Sequence, residues 1–161
     1  MSAQLFGILA AALTISTPLV WAALGAMLNE RAGVLNLGIE GTMYSGAFLG
    51  FVTAVQTDSA ALGVLAAILG GVVTGVLMAV LTVSLGVNQH VAGIGTTLLS
   101  VAAMDVVNRL MFGSGPLVVV EKFSRLFSDS GVFAQYPMTY LGLLVLAPGL
   151  WWLVQRSGIG L

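Results

Sequence analysis

Glu40 is the ionisable residue in this chain whose surroundings most constrain what it can do. It lies in Asn29-Glu-Arg-Ala-Gly-Val-Leu-Asn-Leu-Gly-Ile-Glu-Gly41, a polar and flexible run inside a sequence that is apolar almost everywhere else. Counted from Arg31 as a membrane edge, Glu40 is nine residues deeper, about 13 Å along a helix and close to half depth. A carboxylate there costs on the order of 3 kcal/mol on insertion scales, so it must face protein, water or a partner rather than lipid. Asp105 and Arg109 are four apart, the spacing of an intrahelical ion pair, with Asn108 beside them. Thr96, Thr97 and Ser100 supply hydroxyls one to two turns earlier. His90 is the one histidine and falls at a turn, a poor setting for a metal ligand or proton relay.

Bond-breaking chemistry finds no support in these residues. Glu40 and Asp105 are the only acids placed inside apolar spans, and nothing in their spacing brings them together as a catalytic pair. The chain has no glycine-rich phosphate loop with Lys-Ser/Thr, no His-Glu-x-x-His and no Gly-x-Ser-x-Gly. No catalytic residue, cofactor or metal site is expected. A composition of 58% hydrophobic and 7% charged residues, with a mean hydropathy of +1.07, excludes an ordinary soluble domain. The net charge of −1 and the lack of a Lys/Arg cluster argue against a nucleic-acid partner. Without cysteine there is neither a disulfide framework nor a thiolate metal site.

The expected fold class is all-α, a polytopic transmembrane helical bundle of one domain over 1–161, with spans at about 5–28, 33–55, 60–85, 91–112 and 138–154. The first apolar run has no positive leader and is too long for a signal core, so it reads as a retained span. Pro18 predicts a kink within it. If residues 29–44 were helical, Asn29, Gly33, Asn36, Glu40 and Tyr44 would share a face. The glycines at 33 and 38 instead predict a broken or re-entrant backbone near 33–41, which is tolerated at membrane depth only when buried in protein or lining a cavity. Gly63, Ala67, Gly71, Gly75 and Ala79 recur every four residues and predict a close helix-packing seam. Residues 113–137 form the one sizeable extramembrane segment, where Val119, Phe123, Leu126 and Phe127 make an apolar face suited to the membrane interface.

Residues 29–43 resemble the signature of the permease subunits of ABC importers in the branched-chain amino acid, ribose and nucleoside group, most closely its nucleoside and simple-sugar branch. Glu30, Arg31, Gly33, Asn36, Gly38, Glu40 and Gly41 carry the likeness, with Gly46-Ala47-Phe48 after them. Asn29 and Thr42 depart from the usual residues. Val87-Asn-Gln-His-Val-Ala-Gly-Ile-Gly95 is similar to the family's lead-in to the following span through Asn88, Gln89 and Gly93, with His90 the departure. Arg156-Ser-Gly-Ile-Gly-Leu161 resembles the start of a cytoplasmic segment.

The resemblance implies a transport subunit rather than an enzyme, a multi-pass protein of the bacterial cytoplasmic (inner) membrane that moves nucleosides or related sugars by alternating access. Its implied partners are a second permease subunit, a cytoplasmic ABC ATPase that hydrolyses the ATP, an extracytoplasmic solute-binding protein and membrane lipid. Family members are roughly twice as long, so the chain is expected to be the N-terminal half of a longer permease. Asn36, Glu40 and Tyr44, with Thr96, Thr97 and Ser100, are the candidate substrate pathway: such side chains can hydrogen-bond a neutral polyhydroxylated solute loosely. The alternative is a small helical membrane scaffold that uses the 63/67/71/75/79 seam and transports nothing.

Overall fold

The computed structural model describes residues 2–113 and 135–156. Among these, helix is the only extended secondary structure: α1 (Ser2–Arg31), α2 (Ile39–Thr57), α3 (Ala60–Ala79), α4 (Gln89–Phe112) and α5 (Pro137–Arg156). The fold is all-α and polytopic. α1, α4, α5 and α3 with its extension to Ser84 are long and apolar enough to cross a membrane. α2 is not among them, because Glu40, Thr42, Ser45 and its glycines dilute the apolar residues over 19 positions. Residues 114–134 of the segment expected outside the membrane, with Val119, Phe123, Leu126 and Phe127, lie outside the described residues, as do 157–161 of the third motif.

The contacts divide the chain at Gly33/Val34 into two compact units. In the first, α1 runs as one helix through Pro18, and the Thr14 and Thr17 hydroxyls bond back to the carbonyls of Ala10 and Leu13 at 3.0 and 2.9 Å. The same two hydroxyls reach α5 and Gln135, two positions before it. Thr14 donates to Gln135 Oε1 at 2.8 Å, Gln135 Nε2 donates to the Ala10 carbonyl at 3.1 Å, and the Thr17 and Thr139 hydroxyls are 2.9 Å apart. Gln135 is 3% exposed, so its amide is a buried polar tie. Gly142, in a π-helical turn at Leu141–Leu146, meets Trp21 so closely that a Cβ there would fall 2.7 Å from the indole Nε1.

The second unit is built on α2, with α3 on one side and α4 on the other. Asp58 at φ 51° ends α2, and Ser59 caps α3 one residue later, its hydroxyl accepting from Leu62 N–H at 3.5 Å. So short a turn makes α2 and α3 antiparallel neighbours. They touch backbone to backbone: a Cβ on Gly63 would sit 2.8 Å from the Gly50 carbonyl oxygen, and one on Gly46 would sit 3.0 Å from that of Ala67. The contact line then leaves the strict four-residue repeat. Buried positions on α3 are Gly63, Gly70, Thr74 and Met78, whereas Ala79 is exposed and a Cβ on Gly75 would meet nothing within 4 Å. Four residues turn a helix by about 400°, so a strict repeat drifts by about 40° per step and rotates its later members off the partner. A 4-3-4 spacing stays on the face. α3 closes through a π turn at Val80–Ser84, with Leu85 N–H bonded to the Val80 carbonyl at 3.0 Å, and a left-handed Gly86 (φ 62°).

Gly63→Ala should therefore destabilise the α2–α3 pair by about 1–3 kcal/mol through overpacking, while Gly75→Ala should be neutral or slightly stabilising. Thermal unfolding of the two variants in detergent reads the difference, and equal midpoints would contradict the packing described.

Candidate functional site

The chain leaves the helix at Ala32 and does not resume one until Ile39. Gly33 makes the departure at φ 79°, a left-handed conformation that costs a glycine little. Asn36 then turns its side chain on the backbone, its Oδ1 accepting the Gly38 N–H two residues on at 2.8 Å. That Asx-type bond competes with helical hydrogen bonding and holds the run non-helical. Leu35 N–H finds its acceptor in another element, Gln89 Oε1, at 2.7 Å. The regular pattern restarts with Thr42 N–H on the Gly38 carbonyl at 3.0 Å.

The two sequence motifs are thus one structural object. Asn88 caps α4, its Oδ1 accepting from His90 N–H at 3.0 Å, and Gln89 beside it reaches the broken run. Further contacts follow along the crossing. A Cβ on Gly93 would lie 2.8 Å from Leu37 Cβ and 2.9 Å from Gly38 N, and one on Gly41 would lie 2.6 Å from Thr97 Cα. Only glycine fits at such distances, so Gly41 and Gly93 let α2 and the run before it meet α4 with backbones in contact. Glu30 and Arg31, which open the signature, lie exposed in the last turn of α1.

The proposed pathway residues separate into two sets. Thr96 is 1% exposed, donates to the Ala92 carbonyl at 2.8 Å and rests on Met78 Sδ at 3.9 Å. Ser100 is 5% exposed on the same buried face. Thr97 Oγ1 is buried without a hydrogen-bond partner, next to the tight Gly41 crossing. Asn36 is committed to its own loop. Glu40 and Tyr44, by contrast, are exposed on α2 and share a face with Ala47 and Phe51, at spacings of four, three and four. The single face through Asn29, Gly33, Asn36, Glu40 and Tyr44 does not form, because the Gly33–Gly38 break separates Asn29, on α1, from the two residues on α2.

Arg109 Nε donates to Asp105 Oδ2 at 3.0 Å on an outer face of α4, their side chains 78% and 49% exposed. An exposed pair of this spacing contributes only about 0.3–0.5 kcal/mol in water. His90 is exposed, and among the described residues no three His, Cys, Asp or Glu side chains cluster as a metal site would require. Sequence reasoning missed Ser45 and Thr74, whose hydroxyls meet across α2 and α3 at 3.5 Å with Ser45 1% exposed, and it missed the Gln135 tie. The signal that could have found Ser45 is its place one turn after Gly41 and beside Gly46, on the small-residue side of α2.

The family described as the branched-chain amino acid transport system permease component matches residues 8–161. The chain belongs to that family. It is 34% identical over 169 aligned positions to the candidate glucose ABC transporter permease TsgC13 of Haloferax volcanii, an alignment covering 96% of this chain and 50% of that protein. It is 32% identical over 112 positions to the guanosine ABC transporter permease NupQ of Bacillus subtilis, with 66% of this chain and 35% of that one aligned. Against the nucleoside ABC transporter permease NupC of Lactococcus lactis the identity is 28%, with 96% and 53% covered. The chain spans about half the length of the two relatives that it matches along nearly all of its own. No solved structure matches. These relatives are transport permeases, which favours transport over the scaffold alternative and over an enzyme.

Replacing Asn36 with alanine removes the acceptor at Gly38 N–H and should lower stability by about 1 kcal/mol, as loss of a comparable cap does. Asn36→Asp keeps an acceptor and should hold most of that stability. Denaturant unfolding in micelles measures both, and an aspartate variant as weak as the alanine one would contradict the bonding described.

Proposed function

We propose that the chain contributes the N-terminal half of the membrane pathway in an ABC importer of the cytoplasmic membrane for nucleosides or related simple sugars. The observation that carries this reading is the exposed pair Glu40 and Tyr44, which extends from a first helical turn otherwise packed tightly against α4. A carboxylate and a phenol one turn apart offer hydrogen bonds to a neutral, hydroxyl-rich solute. Neither makes a hydrogen bond or ion pair to another described residue, so both are available to solute and water. The names of the relatives, which specify glucose, guanosine and nucleosides, support that solute class. Asn36 holds the shape of the broken run, Thr96 and Ser100 lie buried on α4, and Thr97 lies where Gly41 of α2 crosses α4.

The partners follow from the same reading. A cytoplasmic ATPase supplies the free energy, a second permease subunit completes the path and an extracytoplasmic binding protein delivers solute. ATP-driven closure of the ATPases would shift the permease between outward- and inward-open states, each favoured by its own set of contacts.

The test is uptake of labelled guanosine and glucose into vesicles that contain the ATPase, partner permease and binding protein. The chain is supplied as it stands and, separately, extended through its downstream reading frame. ATP-dependent uptake with either form is expected, and no movement of either solute by both forms would overturn the proposal. In the transporting form, Glu40→Gln should cut uptake by at least about tenfold, the ~1.4 kcal/mol that one charge-assisted hydrogen bond supplies, with unchanged assembly. Full uptake by Glu40→Gln would remove Glu40 from the pathway.

A further inference from the structure

Gln89 stands out because its carboxamide, at the very start of α4, reaches across to a backbone amide of the broken run. The segment 34–38 is stripped of regular backbone partners, and unpaired N–H groups are expensive where water is excluded. Two side chains supply what the helix does not: Asn36 serves Gly38 from within the loop, and Gln89 serves Leu35 from 54 positions away. Gln89 is the first residue of α4, directly after the Asn88 cap, so its backbone is anchored before its carboxamide extends. The contact lies one turn from Gly93, which receives Leu37 and Gly38 at van der Waals limits.

We propose that Gln89 is a positioning residue for the start of α2, acting through the Leu35 N–H and not on solute. Its carboxamide oxygen pins the non-helical run against α4, and so fixes the point at which α2 begins, one residue before Glu40. Without that acceptor the run opens from Leu35 and the first turn of α2 frays, carrying Glu40 with it. The consequence for transport rests on the permease reading above; the structural role does not.

Amide hydrogen exchange on the purified chain in lipid nanodiscs tests it, comparing the natural residue with Gln89→Leu and Gln89→Glu. Leucine keeps the volume and removes the acceptor; glutamate keeps the acceptor. Exchange of a peptide covering 33–38 should rise on the order of fivefold in Gln89→Leu, the net worth of one neutral hydrogen bond, and stay within about twofold in Gln89→Glu. Peptides from α3 should be unchanged in both. Exchange at the natural rate in Gln89→Leu, an equal rise in Gln89→Glu, or a rise spread into α3 would each overturn the proposal. Uptake measured on the same proteins should fall in Gln89→Leu and be rescued in Gln89→Glu. If the natural chain moves no solute, the permease reading fails while the exchange result still decides the role of Gln89.

Discussion

Backbone amides cannot be left unpaired where water is scarce, and the second unit is organised around one place where the helix fails to pair them. Between Gly33 and Gly38 the chain abandons regular hydrogen bonding, and Asn36 and Gln89 take over two of the donors. An Asn in the middle of an apolar helix would weaken it; here it defines the break and sets where α2 begins. Glu40 then falls in the first turn of α2, where a negative charge is favoured by the exposed N–H groups and the helix dipole. The break thereby provides for the charge that follows it.

The absence of side chains at the helix crossings is the second constraint. Apolar residues gain nothing by leaving lipid for one another, so membrane helices are held by close van der Waals contact and short-range polar bonds. α2 meets this with glycine on two sides, Gly41 toward α4 and Gly46 and Gly50 toward α3. The hydroxyls of Ser45, Thr74 and Thr96 fill the remaining space and satisfy themselves mostly on carbonyls of their own helices, Thr42, Gly70 and Ala92. Glycines and hydroxyls thus serve packing, and the exposed residues of α2 include Glu40 and Tyr44 at one end and Phe51 farther along, the last in ring contact with Phe112 at 5.8 Å.

How much of this could be read beforehand depends on the kind of signal. Helices were legible because uninterrupted apolar runs of about twenty residues have few other uses, and the break was legible because Gly33, Asn36 and Gly38 are poor helix formers placed together. The α3 seam was legible up to Gly71 and then strayed, since counting by fours ignores the 3.6-residue turn that makes Gly70, Thr74 and Met78 the buried line. Polarity alone could not separate Thr96 and Ser100 from Glu40 and Tyr44. A hydroxyl can fold back on a carbonyl of its own helix and disappear into a contact, as Thr96 does on Ala92, whereas a carboxylate has no proton to give a carbonyl. Gln89 carried a family likeness, but its partner lies 54 residues away, and nothing local in the sequence points to Leu35.

Two faces of one unit thus differ: Thr96 and Ser100 of α4 are buried, whereas Glu40 and Tyr44 of α2 are exposed and are the residues we propose for contact with solute. The chain contains no cysteine, so single substitutions Glu40→Cys, Tyr44→Cys, Thr96→Cys and Ser100→Cys can each be probed in membranes with a small hydrophilic thiol reagent. Modification at 40 and 44, slowed by added nucleoside or sugar, together with silence at 96 and 100, is the result predicted. Modification at 96 and 100 with silence at 40 and 44 would contradict the assignment and put the pathway on the other face.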